Sequence, residues 1–168
     1  MRTTHALAIS TLLVLAPSVF AVNVTREELN IAPTACQPAL PIYAESLRTR
    51  PVAIQNEGTS TAFVTCGLRG VKGNVRSATR VGIYLRNNTS AAKTVNCTLV
   101  DAGTNMNNPT QQVRSFPLTA NQAPTLFEWT AATHNGGQAY RYPAFSCMLP
   151  PGTGVSGVTR TFAEDVGQ

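Results

Sequence analysis

Thiols are the reactive groups that this chain spaces most regularly. Of its four cysteines, three sit in one short pattern: Val64-Thr65-Cys66-Gly67-Leu68, Val95-Asn96-Cys97-Thr98-Leu99 and Phe145-Ser146-Cys147-Met148-Leu149 each read apolar, x, Cys, x, Leu. Alternation of period two puts such cysteines on the buried face of a strand. Zinc ribbons pair cysteines about two to four residues apart, and dithiol redox centres use Cys-x-x-Cys; neither spacing occurs here. Disulfide formation is the chemistry that remains. Four cysteines admit three pairings. We expect Cys36–Cys66, which ties a Pro-rich N-terminal segment to the first core strand, and Cys97–Cys147, which joins two strands of matching pattern.

Groups for catalysis are sparse. Beyond the leader discussed below, His134 is the only histidine, and the Asn135-Gly136-Gly137 that follows marks the start of a hairpin loop. A Ser–His–Asp arrangement needs a carboxylate behind the histidine and a nucleophile before it, and no particular Ser or Thr stands out for that role. The eight acids are Glu27, Glu28, Glu45, Glu57, Asp101, Glu128, Glu164 and Asp165. Only Asp101 and Glu128 accompany expected core strands, so a hydrolytic carboxylate pair has little to build on. Residues 101–108 alternate side-chain oxygens as a calcium loop would, yet they supply one carboxylate where calcium sites use several. An Asn-rich turn accounts for them better. Residues 69–73 hold two glycines but neither the Gly-Lys-Ser/Thr of a phosphate loop nor a following helix. We expect no catalytic residue, no metal and no cofactor.

Carbohydrate recognition has the firmer physical footing. Sugar-binding sandwiches present aromatic rings flanked by amide, hydroxyl and Arg groups. Tyr84 with Arg80 and Arg86 makes one such patch; Trp129, or Tyr140 with Tyr142, makes another. The alternative is that Trp129 and the tyrosines pack in the core or at its rim.

These residues need a frame, and the chain supplies an all-β one. Met1-Arg2, an apolar run over 6–16, Pro17 and then Val19-Phe20-Ala21 form a signal peptide with cleavage after Ala21. The run is shorter than the ~20 residues that span a bilayer, and no other stretch is apolar enough to cross. Export to the periplasm or the exterior follows, with a single domain over 22–168. A domain of this size buries about 70% of its unfolded surface, enough for one core. Once Arg2 leaves with the leader, 12 basic side chains face 8 acidic ones, a charge of +4. The arginines are scattered singly, whereas nucleic-acid binders gather them into a stripe with stacking aromatics. Nucleic acid is therefore not expected as a partner; surface glycans or envelope proteins are.

Thr25-Arg26-Glu27-Glu28-Leu29 has the cap and the acids of a first helical turn. From Val52 onward, eight strands are expected over 52–55, 61–68, 80–86, 93–100, 112–118, 125–130, 138–149 and 155–162. Asn-, Gly- and Pro-rich turns separate them. Such spacing suggests an antiparallel sandwich of jelly-roll type. Within these strands Val81, Ile83 and Leu85 should face inward, with Arg80, Tyr84 and Arg86 outward. Pro143 invites a bulge that could swap Tyr140 and Tyr142 to the inner face. Four Asn-x-Ser/Thr sequons begin at Asn23, Asn87, Asn88 and Asn96; Asn96, next to Cys97 in a strand, is the least suited to modification.

Cys36, Val64-Thr65-Cys66, Cys97-Thr98-Leu99 and Cys147-Met148-Leu149-Pro150 before a Gly-containing turn together resemble a diffuse group of small exported bacterial proteins, mostly uncharacterised, that fold as disulfide-stapled β-sandwiches. The resemblance spans roughly residues 30–163 and implies that fold; it brings no catalytic residues. The expectation is an exported, non-catalytic binding or envelope-associated protein. A carbohydrate-binding module and a pilin or surface-fibre subunit are the alternatives.

Overall fold

The structure is a computed structural model that describes residues 22–68, 77–103 and 108–167. The expected leader, the turn expected after Leu68 and part of the expected Asn-rich turn lie outside the described residues. Eleven strands are described: β1 (Asn23–Ile31), β2 (Cys36–Pro38), β3 (Leu47–Arg50), β4 (Ala53–Asn56), β5 (Ala62–Gly67), β6 (Ala78–Asn87), β7 (Lys93–Asp101), β8 (Thr110–Leu118), β9 (Thr125–Thr130), β10 (Pro143–Leu149) and β11 (Thr153–Asp165). Two single α-helical turns, α1 (Ala32–Ala35) and α2 (Ala131–His134), and one 3-10 turn (Pro41–Tyr43) join them.

Alternation decides how these strands layer. Val81, Ile83 and Leu85 of β6 are buried completely, as are Val64 and Cys66 of β5 and Phe145, Cys147 and Leu149 of β10. Each such strand can bury only one face, so two sheets must close on each other. Sheet I runs β3-β4-β11-β6-β9, with β1 also paired to β11; sheet II runs β2-β5-β10-β7-β8. The sub-order β4-β11-β6-β9 against β5-β10-β7-β8 is a jelly roll of eight strands. Those eight correspond to the eight strands expected from the sequence, and all pairings are antiparallel.

Three corrections concern the edges. Residues 25–29 form no helical turn: they lie within β1, which pairs residue by residue with β11 from Asn23↔Asp165 to Ile31↔Gly157. A free β11 edge would leave a long row of unpaired backbone groups, and satisfying them outweighs the local preference of Thr-Arg-Glu-Glu. The N-terminal helical turn comes later, as α1, with Pro33 in its first turn and Ala32 fully buried; it carries the chain from sheet I to sheet II. The seventh expected strand is also shorter than anticipated. It starts at Pro143, where a missing N–H costs the ladder nothing, and Tyr140 reaches sheet I only through an isolated bridge to Ala78.

Both disulfides form as expected, Cys36–Cys66 and Cys97–Cys147. Each joins directly opposed residues on neighbouring strands of sheet II. Two fully buried asparagines tie the sheets together at the turns. Asn56 donates from Nδ2 to the carbonyls of Ser60 (2.8 Å) and Leu149 (2.7 Å) and accepts the Gly58 N–H. Asn87 repeats the arrangement with the carbonyls of Ala91 and Thr119 and the Thr89 N–H. A buried amide is tolerated only when it is satisfied in this way.

Candidate functional site

The outward side of sheet I collects what the sequence reading placed there. Arg80 is exposed, and Tyr84 and Arg86 are half-buried, all opposite the inward Val81, Ile83 and Leu85. The structure does not make one cluster of them. Arg80 lies within 3.5 Å of Glu128 on β9. Between Arg80 and Tyr84, the side chain of Leu126 lies over Gly82, where an added Cβ would come within 2.6 Å of Leu126 Cδ1. Arg86 stays with Tyr84 and heads a polar chain: its Nε donates to Asn88 Oδ1 at 3.0 Å, and Asn88 Nδ2 donates to Gln55 Oε1 at 2.6 Å.

Beside Tyr84 runs a groove of about 220 Å³. Gly157 is in its floor, Tyr84 and Pro124 stand on one side, and Leu29, Ile31 and Val52 on the other. The last three are 58%, 44% and 60% exposed, so the groove opens to solvent with apolar walls. Glycine is required at 157 because β1 runs close by: a Cβ there would stand 2.9 Å from the Asn30 carbonyl oxygen. The register of β11 on β6 shifts between Val155 and Gly157. Ser156 sits at this bulge and lines the groove, and its buried Oγ has no hydrogen-bond partner.

The second expected patch does not exist as a surface. Trp129 and Tyr140 are fully buried. Trp129 lies opposite Val81 on the inner face of sheet I, 5.2 Å from Phe116 and 5.1 Å from Phe145 between ring centroids. Arg114 of β8 caps this cluster. Its guanidinium stands 5.1 Å over Phe116 and 5.2 Å over Trp129, and it donates to the Glu128 carbonyl across the seam between the sheets. The Tyr140 hydroxyl lies 3.2 Å from both Gln112 Oε1 and the Thr130 carbonyl, and burial pushes its phenol above the ordinary tyrosine range. Only Tyr142 of this group keeps a partly exposed side chain. Burying two amphipathic rings in the apolar core outweighs presenting them to solvent.

His134 is spent on local structure. It ends α2, and its Nδ1 accepts the Thr130 N–H at 3.0 Å, while Thr130 caps the same turn by accepting from the Thr133 N–H. Among the described residues no three His, Cys, Asp or Glu side chains come together as a metal site, and no helix is long and apolar enough to cross a membrane.

No known protein family matches the chain, and no curated protein resembles it in sequence. Among solved structures it is similar to the family 11 carbohydrate-binding module from Clostridium thermocellum in complex with a β-1,3-1,4-mixed-linked tetrasaccharide, with a TM-score of 0.41 and 8% identity over 86% of this chain and 89% of that one. TmCBM61 in complex with β-1,4-galactotriose gives a TM-score of 0.38 and 11% identity, covering 83% of this chain and 84% of that one. An F5/8 type C domain from Bacteroides fragilis gives 0.40 and 9%, covering 89% of this chain and 99% of that one.

Proposed function

We propose that this is an exported, non-catalytic binding domain whose ligand is a glycan, held on the outward side of sheet I around Tyr84. The observation that carries the reading is the groove itself. A half-buried aromatic ring faces apolar walls across a glycine floor, with the Arg86, Asn88 and Gln55 chain on the same side of the sheet. A sugar ring offers an apolar face to the aromatic and hydroxyls to guanidinium and amide groups, so one ligand uses both halves of this surface. Secretion or residence in the periplasm, with surface glycans or glycosylated envelope components as partners, fits the leader and the two disulfides.

Glycan-array binding of the purified protein, followed by calorimetry on the best ligands, tests the proposal. Saturable binding that weakens about tenfold in Tyr84→Ala, some 1.4 kcal/mol, and also falls in Arg86→Ala is expected. A folded protein that binds no glycan, or binds equally well without Tyr84, overturns it.

A further inference from the structure

A second cavity lies away from Tyr84, at the end of sheet II. β7 finishes at Asp101, which stands opposite Pro143 of β10 on one side and Thr110 of β8 on the other. Asp101 is only 5% exposed, and a carboxylate so placed must be compensated. Its Oδ1 accepts the backbone N–H groups of Arg141 (3.0 Å) and Tyr142 (2.7 Å). A carboxylate has about four acceptor positions. Oδ2 carries no hydrogen bond among the described residues, and Asp101 lines a cavity of about 220 Å³.

The rest of the wall, apart from Ala139, is mostly polar and locally braced. Thr110, Asn135, Gln138 and Arg141 line it with Asp101. Asn135 is fixed at both ends of its amide, accepting from Gln112 Nε2 at 3.3 Å and donating to the Gln138 carbonyl at 2.6 Å. Gly136 and Gly137, at φ of 58° and 82°, make the turn that sets Gln138 in the wall. Both the acceptor and the amide frame are thus in place before any ligand arrives, which lowers the ordering cost of binding.

We propose that this cavity is a second binding site, and that it takes a single neutral polyhydroxyl ring. One carboxylate and one guanidinium leave the site with no net formal charge, which disfavours ions of either sign. The scarcity of apolar wall disfavours a hydrophobic ligand. Hydroxyl groups donate to Asp101 and accept from Arg141 and the amides at once, a match that neither a simple anion nor a cation offers. The Tyr84 groove is an open trough suited to the side of a glycan chain; this cavity is suited to one ring. The inference shares its ligand class with the glycan reading above but uses none of the same residues.

The test is titration of the full protein with glucose, galactose and mannose at millimolar concentration, observed by the NMR shifts of backbone amides, in wild type, Arg141→Ala, Asp101→Asn and Tyr84→Ala. Arg141 is partly exposed, so Arg141→Ala is expected to stay folded, and Asp101→Asn keeps Oδ1 as an acceptor. Shifts at residues 135–142 by at least one monosaccharide, about tenfold weaker in Arg141→Ala and in Asp101→Asn and unchanged in Tyr84→Ala, are expected. Binding that depends on Tyr84 but not on Arg141 leaves the groove reading standing and overturns this site. No shift at 135–142 with any of the three sugars also overturns it. Loss of oligosaccharide binding to the groove alone, with the monosaccharide response intact, would refute the groove and not the cavity.

Discussion

The two sheets of this sandwich are cross-linked by different chemistries. Sheet II holds both disulfides. Every ion pair found among the described residues belongs to sheet I: Arg26–Glu164 and Arg160–Glu28 join β1 to β11, Arg50–Glu57 braces the β3–β4 hairpin, and Arg80–Glu128 joins β6 to β9. The Cys97–Cys147 link passes between two strands of apolar-x-Cys pattern, where the core itself sets the pairing, and Cys36–Cys66 ties the short β2 to a third. The charged links serve sheet I, including the strands that lie outside the jelly roll, β1 and β3. Where little apolar side chain specifies a register, opposite charges on neighbouring strands specify it.

The largest test of this division is removal of a covalent link. Replacing Cys97 and Cys147 together by Ala should cost about 4 kcal/mol on the chain-entropy model, read as a lower urea midpoint. Loss of hydrogen-exchange protection should be concentrated in β7 and β10. Equal loss of protection along β1 would break the comparison, because the sheets would then share one source of cohesion.

Breaking the Arg160–Glu28 pair comes next. Arg160 is 5% exposed, its Nε lies 2.9 Å from Glu28 Oε2, and its guanidinium lies 4.9 Å from the Phe162 ring centroid. Arg160→Met removes the guanidinium from beside Glu28 and should cost about 3 kcal/mol. Adding Glu28→Leu should restore most of that, since a partly buried pair is readily replaced by apolar packing. A double variant as unstable as the single one would mean that the pair does not hold β1 in place. The smallest effect belongs to the exposed Arg50–Glu57 pair. Arg50 is 55% exposed, so Arg50→Ala, or molar salt, should move stability by no more than about 0.5 kcal/mol. A thermal-melt change worth more than about 1 kcal/mol would sharpen the picture toward a cooperative charge network.

The eight jelly-roll strands could be read from the chain because each alternates cleanly and is bounded by turn formers. Val81, Ile83 and Leu85 or Val95, Cys97 and Leu99 announce one buried face without help from elsewhere. β1 could not be read in this way. Thr25-Arg26-Glu27-Glu28 carries a genuine local helix signal, and what overrides it is an edge more than 125 residues away in sequence. The groove escaped for the same reason: Leu29 and Ile31 reach it only through the register of β1 on Gly157 and Thr159. Trp129 and Tyr140 show a different gap. A large ring at the end of a strand reads equally as a platform or as packing until its partner is known, and its partner is Val81 in one case and the Ala78 backbone in the other. Asp101 stood out in the sequence only as a lone carboxylate; the Arg141 and Tyr142 amides that aim it come from a loop forty residues on.

β11 stands at the centre of sheet I, flanked by β6 on one side and by β4 and β1 on the other. All the other strands of the sheet precede it in the chain. Until residues 153–165 have been synthesised, β1, the β3–β4 hairpin and the β6–β9 pair are separate fragments with open edges. Contacts of such long sequence separation form slowly. A nascent chain of this protein therefore stays unlocked until its final strand arrives.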